Sequence, residues 1–157
     1  MTVNLLYDLH EAGWADCTVE IGDHRITVSA SYLSDALDDL SAAVVALLRG
    51  EPSAAATFTE EPGEFTWQFE RQDQGQLRVR IFWSLPRWEE QPHDPSVPIF
   101  EATCRLETFA GQLLAQLQRL LHELGEDGYK ARWIAHEFPR RRLTQLQNLL
   151  AGAKGGA

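Results

Sequence analysis

Basic charge is what this chain has least of. Its 157 residues carry 14 Lys and Arg against 23 Asp and Glu, for a formal net charge of −9, and only two of the bases are lysine. The deficit is uneven: residues 1–70 hold 13 acids and 2 bases, whereas residues 71–157 hold 10 acids and 12 bases. Gripping a phosphate backbone needs a dense basic surface, so general nucleic-acid binding is excluded. An acidic first half suits a basic protein partner, and it also serves solubility.

Other absences narrow the reading further. No apolar run is long enough to span a bilayer, and no charged segment followed by an apolar one marks a secretory leader, so a cytoplasmic protein without membrane association is expected. Glycine-rich phosphate loops, dinucleotide fingerprints and nucleophile elbows do not occur. The histidines, at 10, 24, 93, 122 and 136, show no zinc-helix spacing, and Cys17 and Cys104 form no CxxC pair. No cofactor, metal site or catalytic residue is therefore expected. The two cysteines fall on inward strand positions, where free thiols behave as small hydrophobes.

What is present is patterned. At 157 residues and 44% hydrophobic content the chain is of single-domain size. The strongest stretch is Glu64–Ser84. Phe65, Trp67 and Phe69 alternate with polar residues, as do Leu77, Val79, Ile81 and Trp83, and the polar loop between them contains Gly75. Pairing Phe69 with Val79, Trp67 with Ile81 and Phe65 with Trp83 keeps apolar opposite apolar, and it sets Glu70 across from Arg78. These aromatics are expected to floor a core rather than to form a ligand platform.

Before this hairpin, Val3, Leu5, Tyr7 and Leu9 alternate as in a strand, although Leu5, Leu6, Leu9 and Ala12 also suit a short helix. Ala15–Ile21 and Ile26–Ala30 read as a second hairpin about Gly22-Asp23, with Ile21 expected opposite Ile26, Val19 opposite Val28 and Cys17 opposite Ala30. Ser34 is the expected cap of a helix whose apolar stripe is Leu33, Leu37, Leu40, Val44, Leu47 and Leu48, ended by Gly50 and Pro52. Asp35, Asp38 and Asp39 are read as helix-start charge and not as a metal cluster. Ala54, Ala56 and Phe58 suggest a strand ahead of the Pro62-Gly63 turn, with Phe58 expected opposite Trp67 and Ala56 opposite Phe69.

After the hairpin, Phe100–Leu106 is a last strand. Thr108 is the expected cap of an amphipathic helix to about Leu124, ended by Gly125. Residues 126–138 look irregular, with one helical turn near Lys130–Ile134, and Pro139 opens a final helix. The order is β-β-β-α-β-β-β-β-α-α. It implies an α+β fold: a two-layer, strongly twisted, mainly antiparallel sheet of about seven strands with helices on one face, or alternatively a partly closed barrel. Residues 1–150 are expected to form one domain and 151–157 a disordered tail.

Two candidate sites emerge. Leu85–Pro98 carries four prolines, too many for a regular helix or central strand, and it is long for a connection. Within it, Trp88, Glu89, Glu90, His93 and Asp94 compose a candidate partner-binding loop; the competing expectation is that Trp88 folds back on the sheet. Arg140, Arg141 and Arg142, with Lys130 and Arg132 nearby, form the one basic cluster and a candidate anion site, unless internal ion pairs consume it. An adjacent His93-Asp94 pair leaves a dispersed active site open.

The stretches Ala12-Gly13-Trp14-Ala15, Ser31–Leu37 and Glu61–Trp67 resemble small, uncharacterised bacterial proteins. The resemblance implies a bacterial, cytoplasmic origin and transfers no activity and no functional residue. Taken together, these features favour a non-catalytic protein-binding module of the inhibitor or immunity type, with a small-molecule or anion binder, or an enzyme with a dispersed site, as alternatives.

Overall fold

The computed structural model describes residues 2–155. The chain runs β1 (Val3–Leu9), β2 (Trp14–Ile21), β3 (His24–Ser31), α1 (Ala36–Leu48), β4 (Ser53–Thr59), β5 (Glu64–Arg71), β6 (Gln76–Ser84), β7 (Phe100–Arg105), α2 (Leu106–Trp133) and α3 (Arg140–Gly155). The fold is α+β, with the element order that the alternation and the helical stripes imply. Its seven strands are shared between two antiparallel sheets, ordered β1-β2-β3 and β4-β5-β6-β7, and the helices cover their apolar faces.

One continuous core joins the two sheets. Tyr7 of β1 meets Phe58 of β4 edge-on, with ring centroids 6.5 Å apart. Phe58 leads on to Trp67 at 5.4 Å, and Trp67 to Phe69 at 6.0 Å. Phe109 of α2 closes the row 5.5 Å from Phe69. Phe65, Trp67 and Phe69 of β5 are thus core, as alternation demands, with Trp67 wholly buried, while Trp83 of β6 packs against that core partly buried.

The β5–β6 register is the one that apolar matching selects: Phe69 faces Val79, Trp67 faces Ile81, Phe65 faces Trp83 and Glu70 faces Arg78. Two other registers differ from expectation by two residues. Ile21 pairs with His24 and not Ile26, so that Val19 faces Ile26 and Cys17 faces Val28. Gly22-Asp23 is a two-residue hairpin turn, and its positive-φ glycine matches the strand twist better than a longer loop. Likewise Phe58 pairs with Phe65 and Ala56 with Trp67, because the turn at Glu60–Gly63 closes with a 2.9 Å bond from the Glu60 amide to the Gly63 carbonyl. A shift of two keeps every side chain on its face, so the inward set is unchanged.

The outer edge of β1 is not left bare. Gln112 and Gln116 of α2 accept the Leu5 and Tyr7 amides at 3.3 and 3.1 Å. Arg119 donates to the Tyr7 carbonyl and Arg132 to the Leu9 carbonyl, at 2.5 and 3.1 Å. Side chains of a helix thereby do for this edge what another strand would otherwise do.

The helix ends correct the sequence reading. α1 begins one residue late, with Asp35 at the cap; the Ser34 hydroxyl instead accepts the Thr59 amide at 3.0 Å, tying the helix entry to β4. α2 starts at Leu106, directly from β7, so Thr108 is already inside it. Gly125, at φ 69°, kinks α2 without ending it, and the helix resumes to Trp133, burying Tyr129 and Trp133. It stops at Ile134, φ 73° and ψ −64°, where the Ala135 amide bonds the Trp133 carbonyl at 2.8 Å in a tight three-residue turn. α3 runs to Gly155, so residues 151–155, expected in a disordered tail, continue the helix; the alanines at 151 and 153 favour it. Residues 156 and 157 of that tail lie outside the described residues. No helix among the described residues is long and apolar enough to cross a membrane.

Candidate functional site

The connection from β6 to β7 is held at its stem by Gln91. Its side-chain amide accepts the Leu85 backbone amide at 2.9 Å and donates to the Leu85 carbonyl at 2.8 Å, pairing with the backbone as a strand would. Farther on, the Asp94 carboxylate takes the Ser96 amide at 2.9 Å and the Ser96 hydroxyl at 2.7 Å. Those bonds lower the Asp94 carboxyl below its ordinary range. His93 lies on Trp83, ring centroids 5.6 Å apart and planes 28° from parallel. Asp94 and His93 therefore each serve the loop's own shape.

With His93 on the ring of Trp83, Trp88 does not fold back on the sheet as the competing expectation had it. It stands 85% exposed. Beside it opens a groove of about 590 Å³, walled by Leu33, Pro62, Gly63, Leu85 and Pro86. Gly63, at φ +95°, is there by necessity: a Cβ would come 2.9 Å from the Ser84 carbonyl oxygen and 3.1 Å from the Trp83 ring.

Under the groove, Glu60 joins the two sheets. One carboxylate oxygen accepts the Trp83 indole N–H at 3.3 Å, and the other accepts the hydroxyl of Ser29 on β3. The surroundings are acidic. Glu61 and Glu64 line the groove and Glu89 and Glu90 follow Trp88 in the loop; all four are exposed, and none is in an ion pair among the described residues. Arg87 is the one base on the loop. Leu33, expected in the apolar stripe of α1, instead precedes that helix and is 57% exposed, because α1 begins only at Ala36. Glu61 and the Pro62-Gly63 corner were legible only as a turn, and no local signal says that these residues line one groove with Trp88.

The basic cluster is placed differently. Arg140 pairs with Glu126 at 3.0 Å, and Arg142 with Asp38 at 3.1 Å. Lys130 reaches Glu137 at 3.4 Å. Of the three arginines, Arg141 alone forms no ion pair among the described residues, and it is exposed. The wrong-end placement of Arg140 and Arg142 on α3 is offset by these carboxylates, one of them at the start of α1.

Elsewhere, His10 and Asp16 meet at 2.9 Å, each about half exposed, at 51% and 46%. The Tyr32 carbonyl accepts from His136 Nε2, 3.1 Å away, and His136 sits 3.8 Å from Asp35. Behind Asp35, the hydroxyls of Tyr7 and Tyr129 and the indole N–H of Trp133 are buried without hydrogen-bond partners. Burial raises both tyrosines and the Asp35 carboxyl. No group of three or more metal-ligating side chains is assembled among the described residues.

No protein-family model and no curated protein matches the sequence. Among solved structures, the chain is similar to one from the "CdiA-CT/CdiI toxin and immunity complex from Enterobacter cloacae", with a TM-score of 0.48 and 11% identity, over 74% of this chain and 99% of that one.

Proposed function

We propose that this protein is a non-catalytic binding module of the inhibitor or immunity type, and that it engages a basic protein through the Trp88 loop and the adjoining groove. The observation that carries the reading is the indole of Trp88, 85% exposed at the mouth of an apolar groove and flanked by four unpaired glutamates. An aromatic left in water by a loop that is otherwise pinned is unspent binding energy: burying roughly 200 Å² of apolar surface is worth about 5 kcal/mol before the costs of association. Tryptophans of this kind are the commonest interface anchors. The acidic half supplies attraction at a distance, which speeds encounter with a basic surface and is screened by salt.

The test is capture from a lysate of the source cell, followed by identification of the bound protein and repetition with purified partners. A basic protein held by the native chain, and weakened tenfold or more by Trp88→Ala or by joint Glu89→Lys and Glu90→Lys, is the expected result. An acidic partner, or binding that ignores both variants, would refute the reading.

A small-molecule occupant is the second reading, favoured by the groove's volume, which is within the range of ligand clefts. The two differ in salt dependence: an apolar small molecule binds equally well to the charge-reversed variant. Anion binding at Arg140–Arg142 is supported less, since Arg140 and Arg142 already face carboxylates.

A further inference from the structure

Resting on the reading just given, we infer that the Trp88 groove takes a linear element of the partner: an extended segment with one large apolar side chain as anchor and lysine or arginine on both sides of it. Three features of the site argue for this.

The first is shape. The groove is open and of limited size, about 590 Å³, so it accepts one anchoring side chain and the backbone that carries it, not a folded surface. Gly63 is part of its lining, and a Cβ there would strike the Ser84 carbonyl oxygen.

The second is the lining. Leu33, Pro62, Leu85, Pro86 and Trp88 present carbon to the occupant. Of the acidic groups in the lining, Glu60 is engaged with Trp83 and Ser29, whereas Glu61 and Glu64 are in no ion pair among the described residues. Where the wall is carbon an apolar anchor is favoured over a polar one, which would lose its water there without replacement, and the free carboxylates suit the bases beside it.

The third is the distribution of charge. Glu61 in the β4–β5 turn and Glu64 at the start of β5 line the groove, while Glu89 and Glu90 directly follow Trp88 on the loop. Carboxylates on both segments attract bases on both flanks of the anchor. A single basic patch to one side, as on a helix face, would leave one segment unanswered.

The probe is a pair of capped heptapeptides, one with tryptophan between two lysine pairs and one with alanine in its place, titrated against the full-length protein by amide-resolved NMR. The expected result is saturable perturbation of the Gly63 amide and the Trp88 indole N–H by the tryptophan peptide. Affinity should fall at least tenfold with the alanine peptide, with Trp88→Ala, and with joint Glu89→Lys and Glu90→Lys. Because Trp88 and both glutamates are exposed, these variants keep the fold. Equal binding of the two peptides, or perturbation away from the groove, overturns the anchor. If neither peptide binds while a captured partner still depends on Trp88 and Glu89, the linear epitope is wrong and protein binding stands. If an apolar small molecule saturates the same amides with no salt dependence while the peptides do not, the site belongs to that class of ligand instead.

Discussion

His93 stacks on Trp83 across the β6–β7 connection, with ring centroids 5.6 Å apart. Trp83 is the last inward residue of the hairpin that floors the core, and His93 lies ten residues farther along the loop. The contact ties the proline-rich connection back to the sheet, while Trp88 stands in solvent.

Replacing His93 by alanine removes that stack. Aromatic pairs contribute roughly 0.5–1.5 kcal/mol beyond area burial, so global stability falls by no more than about 1 kcal/mol. The larger effect is local. Amide exchange across residues 85–99 should quicken while that of β5 and β6 stays unchanged, and Trp88 should lose exposure, read as a blue shift of its emission in a variant lacking the other indoles' contribution by difference.

Gly63→Ala tests the groove lining. Position 63 lies at φ +95°, and its Cβ would meet the Ser84 carbonyl oxygen at 2.9 Å. Strain of this kind costs about 1–3 kcal/mol. A lower urea midpoint with an unchanged slope is expected, together with weaker peptide binding even where the folded population is complete.

Cys17 and Cys104 are both buried and free. Burial pushes the Cys104 thiol up to about 11 and raises Cys17 further, with nearby Asp16 and Asp8 adding to it. Thiolate, not thiol, is the reactive form. At pH 8 the native protein should therefore resist a disulfide exchange reagent for as long as it stays folded, and both thiols should react at once in denaturant. Fast labelling of either in the native state would contradict the burial.

Asp35 bears on pH dependence. Burial raises its carboxyl above the ordinary 3.8, with His136 opposing and Asp38 and Asp39 reinforcing the rise. A raised carboxyl means that the ionised form costs stability in the folded state. That cost is fully present above the folded value and disappears as pH falls through it toward 3.8, where the unfolded chain also takes up its proton. Asp35→Asn removes the charge and keeps a good capping residue. It should raise the urea midpoint at pH 7.5 and make little difference near pH 4; a gain that persists undiminished in acid would assign the effect to something other than this charge.

How much of this was readable along the chain depends on range. In β5 and β6 the faces, the register and the Glu70–Arg78 pair follow from the residues themselves, because large aromatics at alternate positions leave one good match. In β2 and β3 the faces follow and the register does not. Val19 opposite Ile26 and Val19 opposite Val28 are equally apolar, and the choice rests on how tightly Gly22-Asp23 turns. The passage of α2 through Gly125 was not readable either: a glycine after a helical stripe looks like an end, and Tyr129 and Trp133 continue the helix because the core beneath them offers burial.

Strand, helix and turn order, the inward side of each element and the acidic balance of the first half are local properties, set by side-chain period and composition, and they are present in the sequence. The groove is not. Leu33, Gly63 and Trp88 come from three separate segments, and nothing in any one of them refers to the others. That Trp88 stands in solvent while His93 lies on the ring of Trp83 is likewise decided by packing between groups apart in sequence, which exists only once the chain is folded.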